Sequence, residues 1–426
     1  MNDTSAPQGR GGTGIFRSLK CRNYRRYYLG QLISLNGTWM HQVAQAWLVY
    51  RLTGSSFWLG LVTFCNLAPV LFLSLIGGVA ADRVNRRKML ITIQVLAMLQ
   101  ALTLGALTLT GTIKPWHVAV LATLLGVVRA FEVPARQAFV AQIVPRELLS
   151  NAIGLSSSAF NVARFVGPSI AGGLVGLWGE GPVFLVNGLS FAAILVALIG
   201  IRLEPRHESR ARTPVATHVL EGLRFAASHP RIRAALLMLG MVSLTSSAIT
   251  VLMPVFAGET HGGGAQMMGL LMSAMGVGAV LGSLRLAATR SDEGLDRVIG
   301  WAGLSLALCA IVFATVYVLW LALPVLAIVG FSHASVASSA NAMIQLHTID
   351  AMRGRVMSIF SMIFIGLMPI GSLLGGTLAS QIGAPATIVA FGSGFLMVSM
   401  AYLWLLYRAR PYSFIGRRPE SSRGSS

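Results

Sequence analysis

The run Gly77-Gly78-Val79-Ala80-Ala81-Asp82-Arg83-Val84-Asn85-Arg86-Arg87-Lys88 sets one acid, Asp82, a single helical turn after Gly78 and places a cation cluster directly behind it. Small residues let two helices approach closely. An acid among guanidinium groups is placed to form ion pairs. Anchorage to anionic lipid would explain the arginines but would leave Asp82 without a role.

Arg164 is the next residue with chemical potential, because it stands in the middle of a long apolar run. A charge in hydrocarbon is costly, so such a residue faces a cavity or a partner, or else bonds carbonyls between helices. Gln31, Ser34, Thr38, Gln42 and Gln45 recur at three- and four-residue spacing with His41 beside them. That spacing gathers most of them on one helix face, facing either a central cavity or a neighbouring helix. Asn66, Asn161, Asn187, Asn341 and Gln345 are further cavity candidates, each equally able to form an interhelical bond. His41 could carry a proton near neutral pH, or it could be a hydrogen-bonded structural imidazole. Gly167-Pro168 and Gly172 in the run after Arg164 suit a bend and close packing.

Enzymatic constellations are not expected. The three cysteines, Cys21, Cys65 and Cys309, lie far apart and show neither disulfide nor metal spacing. His207, His218 and His229 have no acid or cysteine at ligand spacing, and no phosphate-cradling Gly-Lys-Ser/Thr loop occurs. We therefore expect no cofactor, no metal and no catalytic residue.

Positioning these residues is a membrane's task. Of 426 residues, 54% are hydrophobic and 11% charged, where soluble domains carry about 25% charge. The formal charge of +19 would suit nucleic acid, but it is spread over short loops and both tails, so anionic headgroups are the expected partner and nucleic acid is not. Apolar runs fall near 27–50, 58–80, 89–110, 115–132, 151–178, 181–201, 233–256, 267–289, 298–318, 320–343, 357–381 and 385–407. Each is long enough, or nearly so, for a span of about 20 residues, and helices alone satisfy their own backbone in lipid. The first run is too long for a cleavable signal.

Arginine and lysine alternate with the same period. Arg17, Arg22, Arg25 and Arg26 precede span one, Arg83 to Lys88 follow span two, and Arg136 and Arg146 follow span four. Arg202 to Arg233 follow span six, Arg290 and Arg297 follow span eight, Arg353 and Arg355 follow span ten, and Arg408 opens the tail. The intervening loops hold Arg51, Lys114 or no cation. The positive-inside rule then puts both termini in the cytoplasm and the chain in the cell membrane. None of the fourteen acids falls mid-span; Asp82, Glu132 and Asp350 lie near cytoplasmic ends and Glu259 lies outside.

A repeat divides the chain. A shift of 204 residues lays Ser157, Phe160, Gly167, Gly172, Leu174 and Gly179 on Ser361, Phe364, Gly371, Gly376, Leu378 and Gly383, and Gly78 on Gly282. Such repeats mark secondary transporters with the substrate path between the halves. We expect a tail (1–26), an N-terminal six-helix bundle (27–201), a cytoplasmic linker (202–231), a C-terminal six-helix bundle (232–407) and a second tail (408–426).

With these features the chain resembles the major facilitator superfamily. The hallmark loop between spans two and three, Gly-x-x-x-Asp-Arg-x-Gly-Arg-Arg, is matched by Gly78, Asp82, Arg83, Arg86 and Arg87, with Asn85 in place of the usual Gly. Gly37-Thr38-Trp39-Met40, Ala46-Trp47-Leu48-Val49-Tyr50, Pro134-Ala135-Arg136-Gln137-Ala138, Asn161 to Pro168 and Arg353-Gly354-Arg355-Val356-Met357-Ser358 resemble the twelve-span efflux branch that includes enterobactin exporters. Gly167-Pro168 to Gly173 resembles the span-five antiporter motif, with three residues in place of two between Pro and the Gly pair. The resemblance implies a monomeric, all-α fold of two six-helix bundles and alternating access. It also implies proton-coupled export of a small amphipathic or chelating molecule. Asp82 would approach the helix start near Arg355, and Glu132 would pair with Arg86 or Arg87, holding the cytoplasmic side closed. An uptake permease, a lysophospholipid transporter and, further off, a membrane enzyme or receptor remain as alternatives.

Overall fold

The computed structural model describes residues 16–201, 215–288 and 294–408. Every regular element in that range is helical. The N-terminal half holds α1 (Arg22–Thr53), α2 (Ser56–Arg83), α3 (Arg86–Leu109), α4 (Pro115–Ile143), α5 (Leu149–Trp178) and α6 (Glu180–Gly200). A short helix, α7 (Val215–Ser228), precedes the second half. That half holds α8 (Pro230–Val255), α9 (Ala265–Ala288), α10 (Leu295–Thr315), α11 (Leu319–His347), α12 (Asp350–Ile382) and α13 (Ala384–Arg408).

Eleven of these helices are long and apolar enough to cross a membrane. The twelfth span is α1, which is long enough at 32 residues but diluted by its polar stripe. It packs between α5 and α6, so Gln31, Ser34, His41 and Gln45 are all buried away from lipid.

Tight turns make consecutive helices antiparallel. Gly179 alone joins α5 to α6, with φ +79°, and Gly383 alone joins α12 to α13, with φ +86°. A side chain would be strained at either φ, and the two positions are 204 residues apart. The apolar runs drawn to 178 and from 181 are thus joined by a single residue. The alternation gathers the arginine-rich termini at one end of the molecule, here called the basic end. There Arg26 Nη1 donates to Gly200 O at 3.1 Å, and Arg87 donates from Nε to Leu198 O and from Nη2 to Ile199 O, both at 2.7 Å. These are the last carbonyls of α6, where a cation also meets the negative end of the helix dipole.

Two expected boundaries move. Helix α4 does not stop at 132 but continues through Pro134 to Ile143, placing Arg136 on the helix and not in a loop. The reason is packing. Ala135 and Phe139 are fully buried, and Phe139 lies 5.4 Å from the Tyr27 ring, so those last turns are held by protein at the basic end. The linker is helical over α7, whose Glu221 bonds Arg355 on α12.

The halves meet through two crossings, α2 on α12 and α5 on α9. Both are closest near the far end, opposite the basic one. A Cβ on Gly172 would stand 2.9 Å from Ala265 O and 3.0 Å from the Gly269 Cα. A Cβ on Gly376 would stand 2.6 Å from Ser56 O and 2.7 Å from the Gly60 Cα. Small residues permit backbones to touch where lipid supplies no hydrophobic drive between helices.

Candidate functional site

The basic-end motif divides into described and undescribed parts. The side chains of Asp82 and Arg83 lie outside the described residues. Gly78 faces open space, whereas its neighbour Gly77 makes the close approach, with Ala130 O 2.5 Å from where a Cβ would be. The small-residue contact expected at Gly78 therefore belongs to Gly77, because helical rotation turns that residue toward α4. Asn85 is not left-handed; with φ −59° it caps α3 by accepting from the Lys88 backbone N–H at 3.1 Å. Asn85 supplies an oxygen acceptor there, and its backbone needs no positive φ.

Of the pairings expected of Glu132 with Arg86 or Arg87, the one with Arg87 is not made among the described residues. Glu132 lies 4.0 Å from Arg136 on its own helix, while Arg87 is committed to the α6 carbonyls. Arg86 opens α3 and is engaged as well. Arg355 is held by Glu221 and by the Met352 sulfur at 3.3 Å. Gly222 also packs on the Arg355 backbone. Linker helix α7 is thus clamped to the first turns of α12, where Asp82 is expected to dock.

At mid-depth three chemically active groups share one level. Arg129, Arg164 and His333 each lie fourteen residues inside the far end of their helices, which end at Pro115, Trp178 and Leu319. At 1.5 Å per residue that depth is about 21 Å. Arg129 Nη1 donates to Asn66 Oδ1 at 3.1 Å, and Asn66 Nδ2 donates to Ala122 O at 3.4 Å. His333 shares a hydrogen bond with Ser246 Oγ, Nδ1 to Oγ 2.8 Å. Its ring centroid is 5.8 Å from Phe364.

Arg164 differs from both. Its guanidinium sits 5.9 Å over the Trp39 ring, and Trp39 meets Phe160 edge-on at 5.6 Å. Among the described residues it has no carboxylate partner and donates no hydrogen bond. A cation–π contact contributes about 0.5–2 kcal/mol. Desolvating an ion costs several kcal/mol, so Trp39 alone does not balance the buried charge.

The remaining candidates separate. Gln31 is buried in α1, Gln42 is half-buried, and Thr38 Oγ1 bonds back to Ser34 O at 2.9 Å. His41, 1% exposed, shares a hydrogen bond with Gln45 at 3.1 Å and packs 5.0 Å from Phe184 of α6. The pair is turned into the N-terminal half and away from the seam. Asn161 Nδ2 donates to Ser157 O at 3.1 Å. Asn341 accepts from Gln345, and both line a cavity of about 630 Å³ with Ser338, Phe360 and Phe364. Gly167 lets α5 touch Trp39 of α1, with 2.5 Å from a would-be Cβ to the Trp39 Cβ. Pro168 and Gly172 lie on the α5–α9 crossing.

Sequence reading passed over Arg129 and His333. Arg129 was hidden because span four appeared to end three residues later. A run drawn to Ile143 would have shown it as an interior charge. The 204-residue shift lays Arg129 on His333, which was the signal available for both.

At the far end Tyr50 of α1 donates to Glu259 Oε1 at 3.2 Å, joining the halves. Arg51 holds the buried Glu180 through Nε and Nη2 at 2.8 and 3.1 Å.

Comparison with known proteins agrees with this architecture. The sequence profile described as transmembrane secretion effector matches residues 13–413. The chain is 24% identical to the Staphyloferrin A transporter of Staphylococcus aureus over 385 residues, covering 89% of this chain and 95% of the relative. It is 27% identical to the multidrug efflux pump Tap of Mycolicibacterium fortuitum over 376 residues, covering 85% and 90%. In fold it is similar to a bacterial homolog of the human lysosomal transporter Spinster in an inward-facing, occupied conformation. That match has a TM-score of 0.72 at 16% identity, over 93% of this chain and 98% of that one.

Proposed function

The chain belongs to the transmembrane secretion effector family of major-facilitator-type, multi-pass membrane proteins, and from that premise we propose that it is an exporter of small amphipathic or metal-chelating organic molecules, driven by proton exchange and working by alternating access. One observation carries the reading. The two halves touch most closely at paired glycine crossings near the far end, while the cavity bearing Asn341 and Gln345 lies toward the basic end.

In this reading the basic end is cytoplasmic, as both termini are, and the structure corresponds to the state that loads from inside. The bundles 27–201 and 232–407 rock about the seam, with linker 202–231 between them and the tails 1–26 and 408–426 on the inner face of the cell membrane. Asp82, Arg83, Arg86, Arg87, Glu132 and Arg355 close the basic end in the opposite state. The contacts that Arg87 makes with α6 and Arg355 with α7 are then exchanged for contacts across the seam. A monomer suffices, since each chain holds both halves. Anionic lipid meets the arginine-rich loops.

Two relatives support small organic molecules as the substrate class: one is named for staphyloferrin A and the other for multidrug efflux. Proton exchange falls to His41 and His333, the two imidazoles at mid-depth among the described residues. The test is efflux from proteoliposomes under an imposed pH gradient, screened over drugs and siderophores. Efflux should rise with the gradient and lose that dependence in His41→Gln or His333→Gln. Uptake indifferent to the gradient would favour a permease and overturn the reading.

A further inference from the structure

We propose that the transported molecule is an anion, and that Arg164 receives its carboxylate or chelating oxyanion while its ring or apolar part lies against Trp39, Phe160 and Phe364. The inference rests on the export reading above and narrows its substrate class.

Charge bookkeeping at mid-depth leads there. Arg129 is bonded to Asn66. The carboxylate nearest that level on α4, Glu132, lies one turn closer to the basic end and is matched by Arg136 at 4.0 Å. Of the two mid-depth arginines, Arg164 is the one whose guanidinium has neither an acid nor a carbonyl partner among the described residues. A structural guanidinium would be expected to clamp helix carbonyls, as Arg87 does. A charge within the membrane that makes no such clamp is positioned for something that arrives and leaves. The planar fork of arginine matches a carboxylate through two parallel hydrogen bonds, which the opposite charges strengthen beyond what a neutral acceptor gives.

The surroundings fit a molecule with an aromatic or apolar body. Trp39 lies under the guanidinium with Phe160 at its edge. Phe364 is 5.8 Å from His333 and is also a wall of the 630 Å³ cavity, with Phe360 beside it at 6.0 Å. His333, hydrogen-bonded to Ser246, stands in the other half at the same depth as Arg164. An anion on Arg164 would therefore touch both halves, which a coupled rocking motion requires.

The experiment uses the full chain in nanodiscs and three probes of one shape: 2-naphthoate, its methyl ester and 2-naphthylmethylammonium. Binding is read as quenching of the Trp39 fluorescence, defined as the signal absent from Trp39→Phe. We expect naphthoate to bind at least ten-fold more tightly than the ester, and the ammonium not to bind. Arg164→Gln should abolish the preference and leave ester binding unchanged. Arg164→Lys, which keeps the charge at a buried site, should retain a weakened preference. Equal binding of ester and naphthoate, or a preference that survives Arg164→Gln, would overturn the proposal. Gradient-driven efflux of the ammonium probe would sink the anion assignment and leave the export reading standing. Arg164-dependent naphthoate binding without gradient-driven movement would do the reverse.

Discussion

Gly126 and Gly330 stand 204 residues apart and make the same kind of contact, Gly126 against the Asn66 carbonyl of α2 and Gly330 against the Met275 carbonyl of α9. Gly172 with Gly269 and Gly376 with Gly60 repeat the likeness at the seam. The same shift carries Arg129 onto His333, and there the likeness ends. Arg129 reaches α2 through Asn66, whereas His333 reaches α8 through Ser246. Among the described residues the N-terminal half holds two guanidinium groups at mid-depth, Arg129 and Arg164, and the C-terminal half none. Backbone-to-backbone contacts tolerate no added atom, so both halves must use glycine there. Polar side chains that bond another side chain carry no such constraint, and the two halves need not match there.

The sharpest way to break this comparison is at the glycine crossings. Gly172→Leu and Gly376→Leu should each reduce proteoliposome efflux by more than ten-fold while the protein still inserts, since a branched side chain would wedge the far end apart. Loss in only one of them would show that the seam is asymmetric in its backbone as well. Arg129→Met and His333→Met come next. Removing a charged hydrogen bond costs about 1.5–3 kcal/mol and a neutral one about 1, so thermal melts should fall further for Arg129→Met. Equal shifts would mean that the two partners are energetically alike.

At the basic end, Arg87→Ala removes both cation bonds to the α6 carbonyls and should destabilise by about 1.5–3 kcal/mol. Arg355→Ala should cost about 0–1 kcal/mol, because its pair with Glu221 is partly exposed. Denaturant titration separates the two. At the far end, Tyr50→Phe removes one bond between the halves, about 0.5–1.5 kcal/mol. It should quicken thiol labelling of a cysteine placed at Gly258, which Tyr50 covers.

The smallest expected effect is a pH dependence. Burial holds the His261 imidazole below its ordinary value of 6.5, with a backbone contact at Tyr317 opposing. Below that value the unfolded chain binds the proton more readily than the folded one, so stability falls slightly as pH drops through 6.5. The residue 204 positions earlier, Phe57, does not titrate, and His261→Phe should flatten the slope of melting temperature against pH.

Much of the fold was legible in residue type and order. The run drawn at 181–201 became Glu180–Gly200, and that at 320–343 became Leu319–His347. Apolar content there alone answers whether a segment avoids water. Helix α4 was misread beyond 132 because Glu132, Pro134, Arg136 and Gln137 look like a loop until Tyr27 is seen covering Phe139. The polar stripe of α1 was legible as a face, but Thr38 spends its hydroxyl on its own helix and His41 with Gln45 turns inward. Latch pairings depended on which carbonyls Arg87 could reach, and no spacing in the chain encodes that distance.

Alone, the order of residues determined a membrane chain of two related halves, since hydropathy, arginine alternation and the 204-residue repeat are properties of local sequence. Tertiary structure decided which glycines carry the seam, which arginines are bonded and which one rests on an indole ring alone. Those outcomes depend on helix rotation and on contacts between residues more than a hundred positions apart.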